Sequence, residues 1–556
     1  MAERKLRSDM EFGVAWAERR ALLKGLGRTD EGLRKPQIAI IDSWSEINPG
    51  HMHLRELAKE VEKGVREAGG EPYHFTTLGL CDGIALVGAE YILPSRDLIA
   101  NEVEVIIGAY KMDAMVLLAT CDKIVPAYCM AAAYLNIPAI IVTGGYMQNG
   151  EHYGKPVTFC SVGRSVGAAV SGLISYEECQ EIIDNTCKCP GACGMMGTAN
   201  TMCIVAEALG LSLSGNSTVA AVSKDIKQIA YRAGKQIMNL WENNITPREI
   251  LSESAIKNAY IACMAVGGST NAMVHIPAIA AKAGLEIDCL KYADFCSHEI
   301  PLLLGVEPNG EYTMKDFDLS GGLKSIYKIL GDKVYQDALT VSGLTVKEVL
   351  EGFEIPEESV ICTLNQVLAQ EGALAVLRGN LAPDCSLVKQ SAVPPHMMKF
   401  RGPARVFDSN EEAITGLRNG HIKEGDVVVI RFCGARGGPG LITTFMFTSE
   451  LAGSALNGKV ALITDGRFSG ATEGACIGYI SPEAALYGPL LALQDGDMIA
   501  YDIPNRSLDV ELTEDEMKSR LANVELNMEI RDGWLGIYQK TVGVLSKGAI
   551  LSGKER

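Results

Sequence analysis

The stretch Ala114-Met-Val-Leu-Leu-Ala119, running on through Thr120 into Cys121-Asp122-Lys123 and Pro126, decides the reading of this chain. An unbroken apolar run of this length predicts a buried strand, and Pro126 can open a helix. Outward from it, Gln37–Asp42 reads as a strand, followed by the loop Ser43–Gly50 and a helix from about Met52 to Ala68. The patterns at Val103–Ala109, Pro126–Leu135 and Ala139–Thr143 continue the alternation of strand and helix. Such alternation predicts a doubly wound α/β fold. A thiol, a carboxylate and an amine then stand together at the carboxyl end of a parallel strand, where open α/β sheets take their ligands. A soft donor beside a hard one suggests two metal centres sharing one site, iron–sulfur on Cys121 and Mg²⁺ on oxygen ligands. On the tripeptide alone, the plainer reading is a buried structural cysteine followed by a solvated loop.

From about Ala199 to Lys282 the pattern is mainly helical. After about Ala373 its character changes to short β-rich runs, Ala373–Leu377, Asp426–Arg431, Lys459–Thr464 and Met498–Tyr501, separated by Gly, Pro and Asp turns. Pro394–Pro403 reads as a break between elements. The expectation is an N-terminal α/β domain over residues 1–370 and a C-terminal domain of β-barrel type over residues 371–556.

The chain has 556 residues, enough for a large core and at least two domains. A formal charge of −17 argues against a nucleic-acid or anionic-membrane surface. The charged start, Met1-Ala-Glu-Arg-Lys-Leu-Arg, has no apolar core of the signal-peptide kind, and no stretch of 18 apolar residues follows. A soluble cytoplasmic enzyme is the expectation, with its 16 cysteines mostly reduced. Several of them, among them Cys129, Cys203 and Cys263, lie in apolar runs as small core residues.

Further motifs follow in order. Gly191-Ala-Cys-Gly-Met-Met-Gly-Thr-Ala-Asn-Thr-Met202 surrounds Cys193, and Gly267-Gly-Ser-Thr-Asn-Ala272 turns into an apolar helix. Gly437-Gly-Pro-Gly440 and Asp465-Gly-Arg-Phe-Ser-Gly470 each follow an apolar strand, and Ser481-Pro-Glu-Ala484 comes soon after. Together with Cys121-Asp122-Lys123, these segments resemble, from about Arg19 to about Arg520, the dihydroxy-acid dehydratase and phosphogluconate dehydratase family, which includes aldonic-acid dehydratases.

The resemblance implies the same two-domain division, with the site between the domains. It also implies a hydro-lyase that converts a small 2,3-dihydroxy acid into a 2-keto acid, built as a homodimer or homotetramer. Cys121 and Cys193 match the family's iron–sulfur ligands, and Asp82, Asp122 and a carbamylated Lys123 match its Mg²⁺ positions. Ser469 matches its catalytic serine, acting as an alkoxide base. Taken alone, Lys123 reads as well as a salt-bridge partner of Asp122 or Asp82, and Ser469 as a turn serine capping a following helix. Ser269, Thr270, Asn271 and Thr472 could bind substrate oxygens or could cap and turn.

Two departures from the family pattern stand out. Many members carry a third cluster cysteine where this chain has Gly50, which leaves the third ligand and the choice between [2Fe–2S] and [4Fe–4S] open; Cys81, Cys187 and Cys189 are conceivable substitutes. Zinc on Cys187, Cys189 and Cys193 is a minor alternative. The family's last Mg²⁺ ligand, a Glu, falls on Thr443, and Glu450 is not an obvious replacement. The loop Ile84–Arg96 is also about two residues short of the family's usual form. The closest implied activity is the dehydration step of branched-chain amino-acid synthesis. Aldonic-acid dehydration and a non-catalytic binding role are the alternatives.

Overall fold

The computed structural model describes residues 5–552 except 171, 470, 471 and 527. Four parallel strands, β1 (Gln37–Asp42), β2 (Glu71–Thr76), β3 (Ala114–Ala119) and β4 (Ala139–Thr143), form a sheet in the order β2-β1-β3-β4. β1, β3 and β4 are buried along their whole length, as continuous apolar runs in a parallel sheet must be. Strand β2 was not foreseen. Its sequence Glu-Pro-Tyr-His-Phe-Thr is only half buried and occupies the sheet edge, where Pro72 costs no ladder bond to a further strand.

Helices Leu54–Glu67 and Lys224–Asn243 pack on each other and on the sheet. Their backbones touch: a Cβ on Gly64 would come 2.2 Å from the Tyr231 carbonyl, and one on Gly234 2.1 Å from that of Val61. Helix Ile124–Leu135 packs against β3 and β4 and carries helices Ile92–Tyr110 and Ala272–Ala283. The chain leaves β1 for β2 and returns past it to β3, so the carboxyl ends of β1 and β3 lie side by side at the point where the winding reverses. Such a point is a crevice open to ligands. A short hairpin, β5 (Gly150–His152) and β6 (Lys155–Val157), follows the sheet.

The second unit is a closed barrel of β7 (Ala375–Gly379), β8 (Ala382–Val388), β9 (Lys399–Phe407), β10 (Val427–Ile430), β11 (Ala461–Thr464), β12 (Cys476–Ser481), β13 (Met498–Asp502) and β14 (Ser507–Val510), in the order β10-β11-β12-β8-β7-β14-β13-β9. The expected break at Pro394–Pro403 is corrected in its second half, which lies in β9. Lys399–Pro403 pairs antiparallel with β13, and Ala404–Phe407 pairs parallel with β10, so Pro403 sits where the strand changes partners.

The end of the chain returns to the α/β unit. Buried Arg96 pairs with Asp97 at 2.9 Å and donates to the carbonyls of Gly548 and Ala549, each at 2.9 Å, while Asp97 accepts from the Leu551 N–H at 3.1 Å. Among the described residues no helix is long and apolar enough to cross a membrane.

Candidate active site

One cavity of 260 Å³ gathers residues of both units: Cys81, Asp82, Cys121, Asp122 and Cys193 from the α/β side, and Thr443, Arg467 and Ser469 from the barrel side. Of the residues singled out from the sequence, Lys123 is buried directly behind Asp82 and Asp122, and Cys189, Ser269, Thr270, Asn271 and Thr472 do not line the cavity.

The turn after β3 presents Cys121. Its N–H donates to His51 Nε2 at 3.0 Å, and His51 Nδ1 lies 2.9 Å from the Ser43 carbonyl. The pair of contacts fixes one neutral tautomer, with the proton on Nδ1. Burial enforces it by pushing the imidazole down to about 4. His51 thus locks the loop after β1 to the loop after β3, a role no local sequence signal revealed. The Cys121 thiol donates to Asn48 Oδ1 at 3.3 Å and also hydrogen-bonds Cys81. That bond to Cys121 lowers the Cys81 thiol below its ordinary range, whereas Cys121 is raised by the same bond and by burial. Cys193 stands in the loop Gly191–Gly197, which is tied to the first loop by Gly191 N–H donating to the Pro49 carbonyl at 3.0 Å. Asn200 clamps it from within, donating to the carbonyls of Cys193 at 2.5 Å and Met195 at 2.7 Å. Cys187 lines the same cavity but is exposed, and Cys189 is occupied in accepting the Gln148 N–H at 3.1 Å.

The oxygen donors meet one wall away. Lys123 Nζ lies 3.3 Å from Asp82 Oδ2 and 3.7 Å from Asp122 Oδ2. Asp82 Oδ2 also accepts from Arg467 Nη2 at 3.3 Å, while its Oδ1 is buried without a partner. Burial lowers the Lys123 amine. Burial first, and then the neighbouring Asp82, lift the Asp122 carboxyl to about 6. Two crowded carboxylates, one with an unsatisfied oxygen, form a site that gains from a bound cation.

On the barrel side, the loop after β10 and the loop after β11 are stitched together. Arg467 N–H donates to the Ile442 carbonyl at 3.1 Å, Thr444 N–H donates back to the Arg467 carbonyl at 3.1 Å, and Arg467 Nε donates to the Leu441 carbonyl at 2.9 Å. Glu483 holds the glycine-rich turn, accepting from Arg436 N–H at 3.0 Å and Gly437 N–H at 2.9 Å. Thr443 Oγ1 is buried without a hydrogen-bond partner. Glu450 pairs with Arg418 on the surface at 2.5 Å and does not line the cavity.

Ser469 follows Phe468, whose carbonyl accepts from Asn271 Nδ2 at 3.1 Å. Among the described residues the next element is the strand β12 and not the helix that a capping serine would need. Ser269 bonds Thr198 at 2.8 Å and Thr270 bonds the Tyr479 hydroxyl at 3.2 Å, so the Ser-Thr-Asn turn braces the site. The Thr472 hydroxyl is buried and unpartnered.

Among the described residues no three His, Cys, Asp or Glu side chains converge tightly enough to hold a single metal ion, and the zinc alternative on Cys187, Cys189 and Cys193 is not supported. The set is better matched to groups of other shape. Thiols spread around a cavity suit a cluster, whose ligands are spaced more widely than those of one ion. Asp82 and Asp122 become part of a three-point oxygen set if the amine between them carries a carboxylate-like group.

The chain matches the N-terminal model of the dihydroxy-acid/6-phosphogluconate dehydratase family over residues 35–349 and the C-terminal model over residues 359–549. It belongs to that family, as the resemblance in its motifs implied. It is 45% identical to a dihydroxy-acid dehydratase of Methanothermobacter thermautotrophicus over 98% of this chain and 100% of the relative. The dihydroxy-acid dehydratases of Caldicellulosiruptor saccharolyticus, 44% identical, and Methanococcoides burtonii, 45% identical, are matched over the same shares of both chains.

Proposed function

We propose that this protein is a hydro-lyase that removes water from a 2,3-dihydroxy carboxylic acid to give a 2-keto acid, acting as a dihydroxy-acid dehydratase. The observation that carries the reading is the single cavity where Cys121, Cys193, Asp82, Asp122 and Ser469 meet, with Lys123 directly behind. Cys121 and Cys193 would hold an iron–sulfur cluster, and Asp82, Asp122 and Lys123 would hold Mg²⁺. When bound, these groups supply a Lewis acid for the departing hydroxyl and positive charge for the substrate carboxylate.

The rest of the chemistry falls to the chain. The proton on carbon 2 is weakly acidic and needs a strong base at short range. Ser469 Oγ takes this role, with the cation of Arg467 two residues away to favour its anionic form. The C–H electrons form the C2–C3 double bond as hydroxide leaves carbon 3 and is protonated to water. The enol that remains tautomerises to the 2-keto acid. Nothing is oxidised or reduced overall.

Lys123 enters as a carbamate. Carbamylation needs an unprotonated amine, and burial lowers this one, while the flanking Asp82 and Asp122 give the modified group a metal to share. The division of the chain near residue 370 belongs to the same proposal, with the oxygen and sulfur donors on one side and the base on the other. Thr443, in place of an acidic residue, keeps a second substrate class in view, the aldonic acids. Anaerobically purified protein supplied with Mg²⁺ should therefore be offered 2,3-dihydroxyisovalerate and a panel of aldonic acids, with 2-keto acid as the readout. Turnover of the branched-chain acid at the highest kcat/KM supports the reading, and a preference for an aldonic acid reassigns the substrate.

A further inference from the structure

The first loop carries Gly50 where many relatives would offer a third thiol, yet the space in front of it is not vacant. A Cβ built on Gly50 would come 2.5 Å from Cys121 Sγ and 3.2 Å from Asn48 Oδ1. The side of Cys121 that a residue-50 thiol would share is therefore closed by the turn itself. Its thiol neighbour is Cys81 instead, at the start of the loop after β2.

We propose that Cys81 is the third thiolate ligand of the cluster, in place of residue 50. The inference rests on the iron–sulfur reading above and deepens it. Three features single out Cys81. It is a hydrogen-bond neighbour of Cys121 and lines the cavity that Cys193 lines. Its backbone is held in a tight turn, its carbonyl accepting from Ile84 N–H at 3.2 Å and Ala85 N–H at 2.9 Å. Asp82, the next residue, is pinned by Lys123 and Arg467, so the turn that places Cys81 is anchored from both units. The competing thiols lack these features: Cys187 is exposed with a raised thiol, and Cys189 is engaged with Gln148. Each of the three thiols would give up its proton on binding iron.

The test is cluster content, independent of turnover. Wild type, Cys81→Ser, Cys187→Ser, Cys121→Ser and the double variant Cys81→Ser/Gly50→Cys are reconstituted anaerobically, desalted, and analysed for iron, sulfide and visible absorbance, with circular dichroism to establish folding. Cys81→Ser should retain at least about tenfold less cluster than wild type, Cys187→Ser should retain it in full, and Gly50→Cys should not restore what Cys81→Ser loses, because the turn closes that side of Cys121. Should Cys81→Ser fail to fold, alkylation of wild type followed by mass spectrometry decides. Cys81 should be blocked from iodoacetamide in the loaded protein and modified in the apoprotein. Full iron and sulfide in Cys81→Ser, or alkylation of Cys81 with no loss of cluster, overturns the assignment. Full cluster in Cys121→Ser overturns the placement of the cluster on Cys121, and a wild type that takes up none overturns the iron–sulfur reading itself.

Discussion

The two walls of the cavity are built differently. The α/β wall grows from strand ends at the reversal of the winding, backed by the helix Ile124–Leu135, which is buried as far as Ala133, and it concentrates thiols and carboxylates. The barrel wall is made of two loops laced to each other through Arg467 and Leu441–Thr444, and it contributes a cation and a hydroxyl. They also differ in how they absorb a lost donor. Beside Gly50 another thiol, Cys81, is already at hand. Beside Thr443 nothing comparable has moved in among the described residues, since Thr443 Oγ1 has no partner, Glu450 is tied to Arg418, and Glu483 is spent on backbone N–H groups. Under the proposed ligand assignment, a substitution on the wall dense with donors has a neighbouring thiol to replace it, whereas Thr443 on the loop wall is left with an orphaned hydroxyl.

The comparison breaks most severely if the α/β wall is not the seat of the cluster. Cys121→Ser and Cys193→Ser, prepared anaerobically, should each lose nearly all visible iron–sulfur absorbance and nearly all turnover. Undiminished iron and sulfide in both would mean that the thiols are core residues. Next in size is the barrel wall's base. Ser469→Ala should keep cluster and Mg²⁺ and still bind substrate, yet turn over slower by roughly 10³-fold or more. A variant that exchanges the carbon 2 proton with deuterated water at the wild-type rate would show that another group takes the proton.

The uncompensated position gives a smaller effect of opposite sign. Thr443→Glu restores a charged oxygen to a partly desolvated site, which is worth about 1–3 kcal/mol of cation attraction. The Mg²⁺ concentration for half-maximal activity should fall by roughly 5- to 100-fold. No change would place some other carboxylate there already.

The last effect is read in stability and not in turnover, and concerns the barrel loops as a folded unit. Burial, and then Asp465, raise Glu483 from its ordinary value to about 7. A carboxyl raised in the folded state adds stability that is complete below its unfolded pKa, and that stability is lost as pH rises towards about 7. The loss is on the order of 2–3 kcal/mol. Wild type should therefore melt at lower temperature at pH 8 than at pH 5, by a wider margin than Glu483→Gln. Equal margins would mean that Glu483 is as charged in the fold as out of it.

The two walls were also unequally legible. Strands β1, β3 and β4 announce themselves as unbroken apolar runs, so the tripeptide Cys121-Asp122-Lys123 could be placed at a strand end from sequence alone. Strands β2, β8 and β9 were hidden by their own residues: Pro72, Pro383 and Pro403 lie within them, and polar residues face solvent from an edge or from the barrel's exterior. Long-range partnerships left no local trace. His51 is a histidine in a loop until Cys121 donates to it from 70 residues away. Arg467 is one residue of a glycine-rich turn until it reaches Asp82 across the two units. Ser469 could be read as a helix cap only because the strand β12 that follows it was not recognised.

The central claim is that the two walls together perform a dehydration. Its most direct measurement is the conversion of 2,3-dihydroxyisovalerate in deuterated water by anaerobic, Mg²⁺-supplied wild-type protein, with the product analysed by mass spectrometry. The product should be a 2-keto acid carrying one deuteron at carbon 3, delivered when the enol tautomerises. Protein carrying its full complement of iron, sulfide and Mg²⁺ that forms no 2-keto acid from this substrate or from any aldonic acid would contradict the claim.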